Sequence, residues 1–152
     1  MIKALAAYDR VTMVLAGKAS EGLALLFLRI AFAGIFWRSG RTKVVEGSWF
    51  TLSDSTKFLF SEEYAGVPLP PEFAAMAATT AEHLFPILLL FGLATRLSAV
   101  ALLFMTLVIQ FFVYPDAWWP VHSLWAAMAL VLIARGGGVI SVDRWLTRDR
   151  RQ

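Results

Sequence analysis

The chain has 152 residues, of which 59% are hydrophobic and only 16% are charged. Soluble domains carry about 25% charged residues, so the composition excludes an ordinary water-soluble globule and indicates a membrane protein. The chain has no cysteine, which excludes disulfides, thiolate nucleophiles and iron–sulfur ligation. The net charge of +3 does not indicate nucleic-acid binding, because the basic residues flank apolar runs, as membrane topology signals do.

Residues 1–20 mix charged and apolar side chains, among them Lys3, Leu5, Arg10 and Val14. This pattern predicts a helix that lies along the membrane surface.

Four apolar runs follow, each close to the roughly 20 residues that a helix needs to cross a bilayer. They cover residues 22–38, 72–93, 97–114 and 118–134. The later runs are apolar all round and lack the strict alternation of barrel strands, so they favour helices. The predicted fold is all-α: a single domain over 1–152, built as an integral membrane four-helix transmembrane bundle with a long outer loop between helices 1 and 2.

The last part of the chain, residues 139–152, is basic. The run Gly136-Gly-Gly138 predicts the end of the fourth span, and Ser141 predicts an N-cap for a short helix near Asp143.

Nine Lys and Arg residues flank one side of the predicted spans, whereas the four on the other side are balanced by acidic residues. The positive-inside rule therefore predicts a multi-pass membrane protein with both termini in the cytoplasm. The loop over 39–71 then lies outside. It is longer than structureless connections usually are, and we expect it to act as a lid.

Two charged residues fall in the middle of predicted spans, Arg29 in the first and Glu82 in the second. A central Arg costs roughly 2.5–3.5 kcal/mol on insertion scales, so each is a functional candidate. At similar predicted depths they would form an intramembrane ion pair, which either joins the two helices or takes part in proton transfer or ligand binding. His83 is interpreted as a neutral core histidine bonded to a hydroxyl or carbonyl.

A second set of polar and aromatic residues lies near the outer ends of the spans. It comprises Arg38, Lys43, Gln110, Tyr114, Trp118 and His122. Such a set suits a planar ligand with polar edges, such as a quinone head group. The alternative is an aromatic belt whose basic side chains extend to lipid phosphates. No metal site, no intrinsic cofactor and no complete catalytic set are predicted.

Three segments resemble the DoxX family of small four-helix membrane proteins: TAEHLFPILLLFGLATR from Thr80, MTLVIQFFVYPDAWWPVHSLWAA from Met105 and GGGVISVDRWL from Gly136. The segment LRIAFAGIFWRSGRTKV is similar to the family's first helix. The family takes its name from a subunit of a thiosulfate:quinone oxidoreductase, and other members are linked to redox or oxidative-stress complexes. The resemblance implies that Arg29 and Glu82 are the embedded polar pair and that Arg38, Lys43, Gln110, Tyr114 and His122 line an outer pocket.

Three functions remain open from the sequence. The leading hypothesis, implied by the resemblance, is a DoxX-like protein of the bacterial inner (cytoplasmic) membrane that serves as a redox- or stress-associated subunit, with a quinone-like ligand in an outward-facing pocket. The alternatives are a non-catalytic accessory protein in metal or oxidative-stress homeostasis and a small transporter. The expected partners are the lipid bilayer and a membrane or periplasmic protein, with a homodimer as another arrangement and no nucleic acid.

Overall fold

The computed structural model describes residues 2–148, so the last four residues of the predicted basic tail lie outside the described residues. Within this range the chain forms seven α-helices, with an isolated antiparallel bridge between Val44 and Leu52 and no strand. They are α1 (Ile2–Leu15), α2 (Lys18–Lys43), α3 (Asp54–Glu62), α4 (Pro71–Phe91), α5 (Thr95–Phe112), α6 (Ser123–Arg135) and α7 (Val142–Arg148). A 3₁₀ turn (Pro115–Ala117) and a π-turn (Trp118–His122) lead into α6.

Four helical segments are long and apolar enough to cross a membrane: Lys18–Lys43, Pro71–Phe91, Thr95–Phe112 and Pro115–Arg135. The predicted all-α membrane bundle is therefore confirmed. The largest difference from the prediction is α2, which continues to Lys43 instead of ending near residue 38.

The four spans pack as a closed group, with α2 against α4 and α6, and α5 against α4 and α6. Their shared core is apolar and fully enclosed, with Leu25, Phe32, Phe36, Leu89, Leu102 and Leu132 at its centre. Because successive spans alternate in direction, the bundle has two ends. The terminal end holds the start of α2, the α4–α5 turn and α7; the α3 end holds Lys43, α3 and the start of α4.

The loop between α2 and α4 folds onto the α3 end of the bundle. Its start is fixed by the Val44–Leu52 bridge and by the Thr56 hydroxyl, which donates to the Lys43 carbonyl at 2.9 Å. Phe60 of α3 is buried against Ala74 and Ala75 of α4, forming a second small core. The predicted long loop is thus structured, and its role as a lid stays a prediction.

Both local signals predicted for the terminal end are confirmed, the end of the fourth span and the cap of the short helix after it. α6 ends at Gly136, which has a φ of 75° that favours glycine. Ser141 caps α7, because its hydroxyl accepts from the Arg144 amide at 3.2 Å. In addition, both carboxylate oxygens of Asp143 accept amide N–H groups at the start of α5, from Ala94 at 2.7 Å and Thr95 at 2.8 Å.

The helix predicted over residues 1–20 forms as α1, which ends before Gly17. Several of its apolar side chains are exposed, among them Leu5, Val11 and Val14. Its location on the membrane surface stays a prediction.

Candidate functional site

A buried ion pair joins α2 to α4 near the α3 end. The Lys43 ammonium lies 2.7 Å from Glu82 Oε2. Ser39 completes the network: its hydroxyl accepts from Lys43 at 2.9 Å and donates to Glu82 Oε1 at 3.1 Å. Glu82 is 2% exposed and Lys43 is 7% exposed, so these charges are neutralised by each other rather than by solvent.

The predicted pair between Arg29 and Glu82 is wrong. Arg29 donates instead to the carbonyls of Leu89 at 3.0 Å and Leu90 at 3.3 Å, and to that of Ile140. The reason is the length of α2. Its additional turn brings Lys43 to the level of Glu82, whereas Arg29 lies close to the terminal end of α4.

Arg29 acts as a helix cap from the neighbouring helix. The last four carbonyls of an α-helix have no partner within it and carry partial negative charge, and Leu89 and Leu90 are among the last residues of α4. Gly92 provides the space, since a Cβ there would collide with Nη1 of Arg29. Arg29 therefore ties α2 to the end of α4 and to the segment before α7.

His83 lies beside the ion pair with one ring nitrogen free. Its Nδ1 is 2.7 Å from the Thr79 carbonyl, so the proton on Nδ1 donates to that oxygen. The prediction of a core histidine bonded to a carbonyl is confirmed for this nitrogen. Nε2 is buried and has no hydrogen-bond partner among the residues that the structure describes. In the neutral ring Nε2 is therefore an unused acceptor.

Aromatic rings surround His83. The ring centroids of Trp37, Trp49 and Phe50 lie 5.3, 6.0 and 6.3 Å from its own. We call these three rings the aromatic cage. Trp49 and Phe50 come from the loop after α2, so the folding of this loop onto the bundle builds part of the site.

Gly40 allows α2 and α4 to approach closely at this level. A Cβ on Gly40 would lie 3.0 Å from the Glu82 Cβ and 3.1 Å from the His83 ring. A glycine thus fits between the ion pair and the histidine, where a larger residue would displace one of them.

An apolar groove of about 260 Å³ lies between α2 and α4. It is lined by Ile30, Ala33, Gly34, Trp37, Pro86, Ile87 and Leu90. Trp37 belongs both to the groove and to the aromatic cage, and Pro86 follows His83 by one helical turn. The groove therefore lies next to His83 and its cage. We use the name α2–α4 site for four parts together: the His83 ring, the aromatic cage, the Lys43–Glu82 pair and this groove.

Gln110 and His122 form a separate buried pair. Gln110 Oε1 lies 2.7 Å from His122 Nδ1, and Gln110 Nε2 donates to the Pro115 carbonyl at 2.6 Å. The π-turn before α6 holds His122 here, next to Trp125 at 5.3 Å between ring centroids. These bonds fix the turn between α5 and α6.

Tyr114 lies at the surface of the α3 end, where its hydroxyl donates to Glu63 at 2.6 Å. This hydrogen bond, together with partial burial and the charge of Glu63, raises the pKa of Tyr114. Tyr64 stacks on Phe60 at 4.4 Å. Burial, reinforced by Tyr114 and nearby carboxylates, raises the pKa of Tyr64 as well.

The six residues of the predicted outer pocket are thus divided among several groups. Lys43 joins Glu82, Gln110 joins His122, and Tyr114 joins Glu63. Arg38 is exposed and Trp118 is half-buried in the π-turn. A single pocket formed by all six stays a prediction.

Sequence reasoning missed the contributions of Ser39 and the aromatic cage. Ser39 and Lys43 are four residues apart and so share a helix face, which could have identified Lys43 as the partner of Glu82. The cage depends on the path of a loop, which no local spacing specifies. Within residues 2–148, no group of three His, Asp or Glu side chains is arranged to hold a metal ion.

Comparison with known proteins agrees with this architecture. The family model described as DoxX matches residues 24–115, which include Arg29, Lys43, Glu82 and His83. An uncharacterized protein of Haemophilus influenzae is 30% identical over 131 residues, covering 81% of this chain and 83% of that protein. No solved structure matches the chain. The family match covers more than half of the chain, and the chain therefore belongs to the DoxX family.

Proposed function

We propose that this DoxX-family protein binds a lipophilic molecule at the α2–α4 site. The molecule has a hydrogen-bonding head group, as quinones and quinols do. The protein would serve as the membrane subunit of a redox- or stress-associated system. The observation that carries the proposal is His83, whose Nε2 is buried without a partner inside an aromatic cage.

An unpaired buried acceptor costs free energy, roughly 1–3 kcal/mol, which a ligand donor would recover. The rings of Trp37, Trp49 and Phe50 contact the imidazole at 5.3–6.3 Å between centroids, and a flat head group that displaces one of them would pack against the others. The adjoining groove of about 260 Å³ is almost entirely apolar in its lining residues and suits an isoprenoid or acyl tail.

The proposed ligand chemistry follows from the tautomer of His83. With Nδ1–H donated to Thr79, neutral Nε2 accepts the O–H of a quinol, whereas a quinone carbonyl would require the doubly protonated ring. The reduced ligand is therefore favoured by the neutral imidazole. The Lys43–Glu82 pair, bridged by Ser39, lies beside this ring.

We place the protein in the bacterial inner membrane with the terminal end in the cytoplasm. Lys18, Arg96, Arg135 and Arg144 lie at that end in the described residues, in keeping with the positive-inside rule. The electron-transferring groups would belong to a partner protein.

The test measures quinol and quinone binding to protein in mild detergent, with a short-chain ubiquinol and its oxidised form as probes. Quenching of tryptophan fluorescence reports binding, since Trp37 and Trp49 lie in the cage. We expect His83→Phe to weaken ubiquinol binding about tenfold, because the acceptor is lost. His122→Gln is the matched control, since it removes the other buried histidine, and it should retain binding.

A second variant tests whether the tail of the ligand lies in the groove. Gly34 faces open space in the groove, so Gly34→Leu fills it without touching His83. This variant should weaken a quinol with a prenyl tail and leave a tail-free head-group analogue unaffected. Binding unchanged in His83→Phe, or no binding by the unmodified protein, would contradict the proposal and favour the accessory role.

A further inference from the structure

A second cavity lies at the terminal end, away from the Lys43–Glu82 pair and the aromatic cage of the α2–α4 site. Its volume is about 670 Å³, within the range of ligand-binding clefts. The start of α2, the α4–α5 turn, the Gly136-Gly-Gly138 segment and α7 form its walls. We call it the basic cavity.

Cationic side chains dominate the lining of the basic cavity. They are Lys18, Arg96, Arg135 and Arg144, against two carboxylates, Glu21 and Asp143. Both carboxylates already have partners in the structure. Glu21 forms an ion pair with Arg135, and Asp143 accepts the amides of Ala94 and Thr95.

The remaining cations are available to a ligand. Within residues 2–148, Lys18 and Arg144 make no ion pair or side-chain hydrogen bond, and both are exposed. Arg96 makes one long bond, to the Ala134 carbonyl at 3.2 Å, and its guanidinium lies over Gly136. Among the described residues the lining therefore carries four cations against two carboxylates, a net positive charge, and Lys18, Arg96 and Arg144 stand outside any ion pair there.

The floor of the basic cavity depends on a residue without a side chain. A Cβ on Gly137 would lie 2.7 Å from both the Thr95 hydroxyl and the Ser141 Cβ. Thr95 is fully buried there and its hydroxyl has no partner. Gly137 thus lets the glycine segment pack directly on Thr95 and Ser141, below the cations.

Apolar residues border the cationic ones. Leu97 and Val139 line the basic cavity and are exposed, at 64% and 45%. Trp145 on α7 is also exposed, as tryptophans at a membrane–water interface are. A cavity with cations inside and apolar side chains at its edge matches an amphiphile whose anionic head enters while its chains stay in the membrane.

We infer that the basic cavity binds a phosphate-bearing anion, with an anionic phospholipid head group as its source in the membrane. Guanidinium groups recognise phosphate through paired hydrogen bonds, and lysine adds a point charge. Basic recesses between membrane helices bind lipid head groups on this chemistry. This inference does not rest on the quinone site.

The test uses the full chain in neutral detergent and counts bound lipid by native mass spectrometry during titration with phosphatidylglycerol or phosphatidylcholine. We expect a preference for phosphatidylglycerol. The double variant Lys18→Gln/Arg144→Gln should lose roughly tenfold in affinity for it, because two phosphate-facing charges are removed.

The matched control is Lys57→Gln/Arg148→Gln, which removes one lysine and one arginine outside the basic cavity. It should keep the wild-type affinity. The swap Lys18→Arg/Arg144→Lys keeps the charges and should also bind, which separates loss of charge from loss of fold. A melting temperature measured for each variant checks folding.

A second arm distinguishes the source of the phosphate. Millimolar inorganic phosphate is added to the lipid-bound protein. If it displaces phosphatidylglycerol, and if it stabilises the wild type but not Lys18→Gln/Arg144→Gln, the site binds soluble phosphate anions. Equal binding of the two lipids, or equal losses in the double variant and its control, would overturn the inference.

Discussion

Lys43 and Glu82 are charged residues that are stable in the bundle only as a pair. At 2.7 Å and with both side chains buried, removal of one leaves the other charge without compensation. Breaking such a pair costs about 3–5 kcal/mol, whereas replacing both members costs much less. The same reasoning explains why α2 extends past residue 38: the helix carries Lys43 to its partner.

We therefore predict that Lys43→Met destabilises the protein more than the double variant Lys43→Met/Glu82→Gln does. Unfolding in mixed detergent, followed by circular dichroism, gives the coupling free energy, expected at about 1–3 kcal/mol. The control cycle, Arg29→Met with Glu82→Gln, should be additive because these side chains have different partners. Coupling in the control cycle and additivity in the first would restore the Arg29–Glu82 pair.

Arg29 gives a separate prediction, since it serves three carbonyls rather than a carboxylate. Arg29→Met should destabilise by about 3 kcal/mol, because the Leu90 and Ile140 carbonyls lose the guanidinium donor and the Leu89 carbonyl keeps only the Gly92 amide. Arg29→Lys should recover only part of this, since an ammonium cannot reproduce the guanidinium fork. Stability of Arg29→Met equal to that of the unmodified protein would show that water replaces the cap.

Tyr114 and Tyr64 provide a pH-dependent prediction. Both phenols have a raised pKa, Tyr114 through its bond to Glu63 and Tyr64 through burial. In the unfolded chain tyrosine ionises near pH 10, so the unfolded state loses these protons first. Their contribution to stability is therefore present below about pH 10 and lost as the pH rises above it.

Absorbance at 295 nm measures this ionisation in native and denatured protein. The native curve should lie at higher pH, and Glu63→Gln should lower the pKa of Tyr114 by removing the carboxylate that holds its proton. Tyr114→Phe identifies which part of the curve belongs to this residue. A native curve that coincides with the denatured one would refute the prediction.

At the scale of elements, α2 has two glycines on its side toward α4, one in a tightly packed place and one facing open space. A Cβ on Gly40 meets Glu82 and His83 at 3.0–3.1 Å, whereas one on Gly34 meets nothing within 4 Å. Both substitutions gain the helix propensity of alanine, about 0.8–1 kcal/mol. The comparison therefore isolates the steric contact at Gly40.

We expect Gly34→Ala to raise the melting temperature and Gly40→Ala to lower it, relative to the unmodified protein. Gly40→Ala should in addition weaken ligand binding at the α2–α4 site, since His83 must move by a few tenths of an ångström. Thermal unfolding in detergent measures the first effect and fluorescence quenching the second. Equal stabilisation by both variants would show that α2 and α4 can move apart at Gly40 without loss of stability, and would contradict the prediction.

The same elements show how far the sequence predicts the structure. Hydropathy and length locate all four spans, and Gly136 and Ser141 mark the end of α6 and the cap of α7, because these signals are local. The partner of Glu82 was not predictable from depth alone, since an error of one helical turn in α2 changes which cation reaches it. Trp49 and Phe50 reach His83 only through the tertiary path of a loop, for which the sequence has no periodic signal.

For the whole molecule, the two sites differ in position and in character. The ion pair and the aromatic cage of the α2–α4 site lie toward the α3 end, its groove runs from there toward Ile30 and Leu90, and the basic cavity lies at the terminal end. The α2–α4 site is aromatic and largely apolar with one internal ion pair, whereas the basic cavity has a net positive lining. Because the positive-inside rule acts on basic residues near span ends, the cations that line the basic cavity also favour a cytoplasmic location for it. The α2–α4 site and α3 would then face the outside.

This orientation can be tested directly because the chain has no cysteine. Single cysteines are introduced at Ser61 in α3 and at Thr147 in α7, both exposed positions at opposite ends. In intact cells with only the outer membrane permeabilised, a membrane-impermeant maleimide should label Ser61→Cys and spare Thr147→Cys, and lysis should make both reactive. Labelling of Thr147→Cys before lysis would reverse the orientation and place the basic cavity on the outer surface, where the anionic lipid of the outer leaflet would be its ligand.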